Sequence, residues 1–354
     1  MNRYIFLLLL AFANLCFAQV PSDSIKVEEE EDYSQYNNVE STSSSSKVYC
    51  SQKVIGLSPA KLISVGFDFV GNHGFSADTV LNYLNNNSKV NYNSGVRVAA
   101  NFPVISNNKM ILNLGINYLD FKYQFEKSAS TLHPLNNTLA GYGLRSYGAN
   151  ATLFKPFNEK RFIIAQFSVD ANSSTRIEEF ETNYIKISGA AIYGLKPHER
   201  LQYGFGITRT YRGGGVNYLP VILYNYTFPG KKWGVEMLLP ARANLRYTVN
   251  PRNMLFAGFE VEGNSYALAK FKQDYNLPYN NLQLHRSEIR PRLTYEFSVY
   301  NFIWLSIQAG YRISYKFNTD EGDNYKTISD TPYLTENTVK GGYYFNISLN
   351  LVSP

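Results

Sequence analysis

The chain has 354 residues, with 29 Tyr, 23 Phe, 2 Cys, 18% charged residues and a formal net charge of +6. The basic excess is mild and no lysine or arginine block occurs, which argues against a nucleic-acid partner. One of the two cysteines lies in the leader described below, so the mature chain has no internal disulfide and no thiol cluster for metal; abundant aromatics with little charge suit strands that carry one apolar and one polar face.

The chain opens "MNRYIFLLLLAFANLCFA", with a basic Arg3, an apolar core and small residues before Gln19. This predicts a signal peptide over residues 1–18, cleaved after Ala18 and too short to span a membrane. A lipoprotein reading at Cys16 is disfavoured by the bulky Leu15 before it. No later stretch approaches the ~18–20 consecutive apolar residues of a membrane helix, so export leaves the periplasm, the medium or the outer membrane. Residues 19–60 are polar, acidic and serine-rich, and on composition form a disordered periplasmic segment. The acidic run from Glu28 to Asp32 reads as a solvated tether.

From residue 61 onward the chain is a succession of alternating runs. "LISVGFDFV" sets Ile63, Val65, Phe67 and Phe69 against Ser64, Gly66 and Asp68; in "VNYNSGVRVAANF" the polar face holds Asn91, Asn93, Gly95, Arg97 and Asn101. Period-two alternation is a strand signal. Strands are expected near 62–71, 90–102, 109–123, 139–154, 161–172, 185–195, 200–211, 216–227, 232–239, 241–249, 253–264, 286–298, 302–316 and 342–352, with a short helix over 76–84. Short connections such as "KPFNEK" and "NPRN" largely alternate with long polar ones, as in outer-membrane barrels with short periplasmic turns and longer outer loops. The expected fold is therefore all-β: residues 61–354 as a transmembrane, antiparallel, up-and-down barrel of about 14 strands. Twelve is the alternative if the hairpin at Leu239-Pro240-Ala241 fails. An even count puts both termini in the periplasm.

Magnitudes fix which face is inside. An arginine facing lipid at mid-bilayer costs roughly 2–4 kcal/mol, so Arg242, Arg246, Arg290, Arg292 and Arg312 must face the lumen. With Glu236, Glu260, Glu262 and Glu296 they form a nearly balanced charge lattice. A symmetric hairpin at Pro251 sets Arg242 opposite Glu260, and one at Asn301 sets Arg290 opposite Arg312, a repulsive pair that needs a neighbouring acid. Such a lattice either braces the barrel and narrows or closes its lumen through Arg–carboxylate pairs or forms a constriction whose transverse field selects polar or charged solutes.

The four histidines, His73, His133, His198 and His285, have no serine and acid at a recognisable spacing, and Gly213–Gly215 lack the lysine and helix of a phosphate loop. No catalytic, cofactor or metal site is expected, and the lesser alternative to a non-enzyme is an outer-membrane hydrolase with an Asp–His pair at its outer rim.

Residues 212–268, "RGGGVNYLPVILYNYTFPGKKWGVEMLLPARANLRYTVNPRNMLFAGFEVEGNSYAL", resemble a family of uncharacterised outer-membrane β-barrel proteins from Bacteroidota. The likeness lies in a proline after a strand of this type, a Gly-Lys turn, and the "LPA…R" and "G…E…G" patterns. It implies a barrel and an outer-membrane address, and no activity. The expected role is a passive pore or small-solute transporter. The alternative is a closed barrel that binds through its outer loops. Outer-membrane lipid, lipopolysaccharide and the barrel-assembly machinery are the expected partners of a monomer.

Overall fold

The computed structural model describes residues 49–126, 133–175, 185–211, 217–279, 281–321 and 333–353. The signal peptide, the acidic run and the 213–215 glycines lie outside the described residues.

In chain order the strands are β1 (Lys61–Val70), β2 (His73–Ala77), β3 (Asn86–Asn107), β4 (Met110–Phe125), β5 (Leu144–Pro156), β6 (Arg161–Ser173), β7 (Ile185–His198), β8 (Leu201–Thr210) and β9 (Asn217–Thr227). They continue with β10 (Trp233–Leu239), β11 (Arg242–Asn250), β12 (Asn253–Ala267), β13 (Leu282–Tyr300), β14 (Ile303–Glu321), β15 (Thr335–Glu336), β16 (Thr338–Val339) and β17 (Gly342–Val352). Two helices lie in connections, α1 (Pro134–Gly141) and α2 (Ala269–Asp274). β2, β15 and β16 are loop pieces. The other fourteen strands pair antiparallel with their neighbours, and β1 closes the ring by pairing both β3 and β17. The protein is a closed antiparallel barrel of fourteen strands.

The closest test of that count is the β10–β11 hairpin. Leu238 pairs with Arg242, leaving the three-residue loop Leu239-Pro240-Ala241, and Glu236 pairs with Asn244 on the same face. The odd loop length preserves parity, so the ionic face continues across the hairpin. The expected helix over 76–84 does not form. Residues 73–77 instead pair with β3 and β16, and Val80 bridges Tyr83. The fifth strand begins at Leu144, not near 139, because α1 occupies the preceding residues. Its start is favoured by Pro134 in the first turn and by the His133 cap, whose Nδ1 accepts from the Leu135 N–H at 3.2 Å.

Polarity is inverted relative to a soluble protein. Val65, Ile116, Ile207 and Leu293 are exposed on the outside of the wall, while Asp68, Asn93, Arg246 and Arg290 are buried inside it. An apolar exterior around a polar interior is the pattern of a lipid-embedded barrel. Near the short-turn end the outer surface carries aromatic neighbours, including Trp233 with Tyr247 and Tyr226 with Phe228, as at a membrane–water boundary.

Both ends of the lumen are occupied. At the long-loop end, Phe75, Phe125, Leu135, Leu139, Phe271 and Phe317 belong to one buried apolar cluster, with Phe75 edge-on to both Phe125 and Phe317. Polar contacts tie the loops of this dome together. The Asp78 N–H donates to Asn337 Oδ1 at 2.9 Å, and the His133 ring reaches the Asp78 carbonyl at 3.1 Å. Below it the wall is pinched. Ala267 of β12 pairs with Ser173 of β6 although six strand steps separate them, and the Ser174 N–H donates to the Ala267 carbonyl at 3.0 Å.

At the short-turn end, residues 49–60 form a strap rather than part of the disordered segment expected over 19–60. The Cys50 N–H donates to the Asn158 carbonyl at 3.0 Å and the Ile55 N–H to the Glu199 carbonyl at 2.9 Å. Lys196 Nζ donates to the Ser51 and Lys53 carbonyls at 3.0 and 2.6 Å, and Thr227 Oγ1 donates to the Ile55 carbonyl at 2.7 Å. Lys196 and Thr227 point inward, so the strap runs within the mouth. Cys50 and Val54 of the strap are buried. Composition alone missed this because the ordering groups belong to the barrel wall, not to the strap.

Candidate functional site

The inward face of β10 to β14 begins with two independent pairs. Arg246, fully buried, places Nε 2.8 Å from Glu236 Oε1 and donates from Nη2 to Thr227 Oγ1 at 2.8 Å and from Nη1 to Thr248 Oγ1 at 2.7 Å. Gly56 of the strap lies against the same guanidinium. Its φ of +83° is the left-handed conformation that glycine adopts freely, and a Cβ there would sit 3.1 Å from Arg246 Nη1. Glu296 accepts from Lys61 Nζ at 2.6 Å and from Ser306 Oγ at 3.0 Å, which ties the start of β1 to β13 and β14.

Arg242 sits opposite Glu260 in the β11–β12 register. Glu260, however, pairs with Arg292, which also donates to Gln308 Oε1 at 3.1 Å. Arg242 is exposed to the lumen and has no carboxylate within 4 Å among the described residues.

Higher in the barrel lies a denser network. Arg290 donates from Nε to Glu288 Oε1 at 2.6 Å and places Nη1 2.6 Å from Glu262 Oε2, while its guanidinium lies 4.6 Å over the Tyr344 ring. Arg286 contacts Glu288 through Nε and Nη2 at 3.1 and 3.0 Å. Arg97 of β3 donates from Nη2 to both Glu262 oxygens, at 3.1 and 2.9 Å, and from Nε and Nη2 to Asp68 Oδ2 at 3.2 and 3.0 Å. Asp68 also accepts from the Tyr344 hydroxyl at 3.0 Å and from Asn346 Nδ2 at 2.8 Å. Bifurcated and bidentate contacts of this kind are the strong form of the ion pair.

The Arg97–Glu262 contact is not between neighbours on the wall. From β12 to β3 the path along the sheet is β12–β13–β14–β17–β1–β3, five strand steps. The two side chains therefore meet through the lumen and bridge it. Arg97 nevertheless keeps 40% of its side chain exposed, so water-sized space remains beside the bridge. The facing wall, β3 to β8, presents Asn101, Gln166, Ser188 and Thr208 at inward positions, and Asn101 and Gln166 are exposed there.

Arg312 is the exception in the network. The registers Ile289–Ile313 and Arg292–Gly310 put it across from Arg290. It is buried, and no carboxylate lies within 4 Å of it among the described residues. Asp68, Arg97, Arg286, Glu288 and Lys61 escaped the sequence reading. Asp68 and Arg97 were visible on the polar faces of their strands, and Arg286 and Glu288 continue the inward parity of Arg290 and Arg292. What linear spacing lacks is any signal for a contact across the lumen.

Among the described residues one serine–histidine contact is present: Ser265 Oγ lies 2.8 Å from His285 Nδ1, the two being cross-strand partners on β12 and β13. Both are buried, so the geometry offers no approach to a substrate. Among the described residues no three His, Cys, Asp or Glu side chains converge as a metal site.

Residues 131–352 match the model of a family described as a domain of unknown function, DUF6268. The chain belongs to that family. No curated protein matches it. Among solved structures it is similar to the COG4313 outer membrane channel from Pseudomonas putida F1, at 13% identity and TM-score 0.39, covering 84% of this chain and 97% of that one. The P. putida toluene transporter TodX matches at 9% identity and TM-score 0.35, over 84% of this chain and 91% of that one. LpxR from Salmonella typhimurium matches at 9% identity and TM-score 0.32, over 82% and 100%. At these TM-scores the likenesses carry nothing on activity.

Proposed function

We propose that this protein is an outer-membrane barrel whose lumen is a restricted, charge-lined route for small polar solutes, held shut at rest. The observation that carries the reading is the Arg97–Glu262 bridge, which spans five strand steps through the lumen while a water-accessible, amide-lined wall faces it. An open pore of passive type does not fit a lumen that is bridged in the middle, strapped at one mouth and capped at the other. In this reading the short turns, the strap and both termini face the periplasm and the dome faces outward. The lipid-facing band meets phospholipid and lipopolysaccharide, the barrel-assembly machinery inserts the chain, and the monomer acts alone in a Gram-negative, Bacteroidota-type envelope.

A passing solute would meet Arg242 and Glu260 on one wall and Arg97, Asn101 and Gln166 on the other. The transverse field of these charges orients dipolar molecules, so zwitterions and small sugars suit the route better than apolar compounds. Proteoliposome swelling tests this. Wild-type barrels should admit glycine-sized zwitterions slowly and exclude trisaccharides, and Glu262→Gln should raise the rate. Equal rates for wild-type and protein-free vesicles, with no gain in the folded variant, would leave the second reading. That reading, a closed surface-binding module, is favoured by the depth of the apolar dome alone.

A further inference from the structure

The lumenal network around Arg290 is not electrically balanced. Its four guanidinium groups, on Arg97, Arg286, Arg290 and Arg312, face the three carboxylates of Asp68, Glu262 and Glu288. The first three arginines each hold a carboxylate, so the surplus positive charge resides on Arg312. Arg312 is 1% exposed, and its Nε and Nη2 have no hydrogen-bond partner among the described residues. Its remaining Nη1 donates to the Asn93 side-chain oxygen at 3.1 Å, with that amide oriented to accept.

The orphaned donors are not alone. Tyr123 is the cross-strand partner of Asn93, is 2% exposed, and has a hydroxyl with no partner among the described residues. On the other side Arg312 pairs in register with Gly342, whose missing side chain would lie 3.6 Å from His73 Cβ. His73 Nδ1 lies 2.8 Å from the Gly71 carbonyl, which can only accept, so Nδ1 carries the hydrogen and the partnerless Nε2 offers a lone pair. The hydrogens pointing into this space therefore come from Arg312 and Tyr123. A charged group stripped of water and left unpaired is costly, and a guanidinium edge beside a hydroxyl is the donor set that an anion satisfies.

We infer that the space beside Arg312 and Tyr123, beneath the apolar dome, binds one small monovalent anion of chloride size. The anion accepts from Arg312 Nε and Nη2 and from the Tyr123 hydroxyl, and brings the network to neutrality. The other charged groups around Arg312 are Glu288, Arg286 and Arg290. Glu288 is engaged by two arginines, which restricts the site to a single negative charge. The inference stands whether or not solutes cross the barrel.

The test uses the full chain in detergent, dialysed into sodium gluconate and titrated with sodium chloride at constant ionic strength. Gluconate is too large for a buried pocket. The wild type should melt several degrees higher in chloride, with saturation, because an anion bound only to the folded state stabilises it. Arg312→Met should melt at one temperature in both salts. Should that variant fail to fold, Tyr123→Phe gives the answer: its half-saturating chloride concentration should rise at least about tenfold, the loss of one hydrogen bond to a charge. Identical wild-type melting in the two salts would overturn the inference, as would variants that keep the wild-type chloride response.

Discussion

Replacing Glu262 by Gln removes the charge that joins the two sides of the lumen while leaving the shape and the hydrogen-bonding capacity of the side chain. Three guanidinium contacts change, two from Arg97 and one from Arg290. Removing one partner of a buried ion pair costs about 3–5 kcal/mol. Two features lower that figure here. Arg290 keeps Glu288 and Arg97 keeps Asp68, and the 40% exposure of the Arg97 side chain screens its share. A loss of about 2–3 kcal/mol is therefore expected, which for a chain of this size lowers the midpoint of unfolding by roughly 4–8 °C. The assay is the temperature at which the folded, heat-modifiable band converts to the unfolded one on a gel. Arg97→Gln and the double variant complete a cycle whose coupling should be on the order of 1 kcal/mol. A Glu262→Gln midpoint within a degree of wild type, with additive double-variant behaviour, would refute the bridge.

Lys196→Met removes the amine that holds Ser51 and Lys53; the strap should detach while the barrel melts within about two degrees of wild type. Cys50, buried in the strap with its thiol pushed above the usual range by that burial, should then label with maleimide at least tenfold faster, as read by mass spectrometry; unchanged labelling would contradict the contact. Gly194 faces Phe162 in the β6–β7 register, and a Cβ would lie 2.1 Å from the ring, so Gly194→Val should lose about 1–3 kcal/mol to overpacking and show a lower melting midpoint. His133 in the dome is buried and held neutral, with Nδ1 accepting from Leu135 and burial lowering its pKa below the ordinary imidazole range. The unfolded ring therefore takes up a proton that the folded one refuses. The stabilisation is complete above about pH 6.5 and declines as the pH falls below it. Hydrogen exchange of the α1 amides, corrected for intrinsic rates, should show less protection at pH 5 than at pH 7.5, and His133→Asn should flatten that dependence.

The wall of the barrel was legible because alternation is a local property. Each strand shows its own parity, and lipid makes the choice of face unambiguous once an arginine appears. The hairpin at Pro240 was readable for the same reason: only an odd loop keeps Glu236 and Arg242 on one side. Registers between neighbours followed too, with Arg242 opposite Glu260 and Arg290 opposite Arg312. The lumen itself was not legible. Arg97 and Glu262 are 165 residues apart in sequence, and their contact depends on how the ring curves, which no single strand encodes. The dome escaped for a different reason. Its apolar residues, such as Leu135, Leu139, Phe271 and Leu277, are scattered through polar loops and gain a core only when several loops meet. The strap escaped because its polar sequence is satisfied by Lys196, Thr227 and Arg246 of the wall.

The most direct test of the closed lumen is single-channel recording in planar bilayers. Wild-type protein should show no sustained unitary conductance. A variant combining Glu262→Gln with removal of residues 49–60 and of the dome helix 134–141, verified as folded by heat modifiability, should show discrete openings whose ion preference shifts when Arg242 is neutralised. A large, stable conductance from the wild type would contradict the account, as would silence from the folded variant that lacks bridge, strap and dome helix.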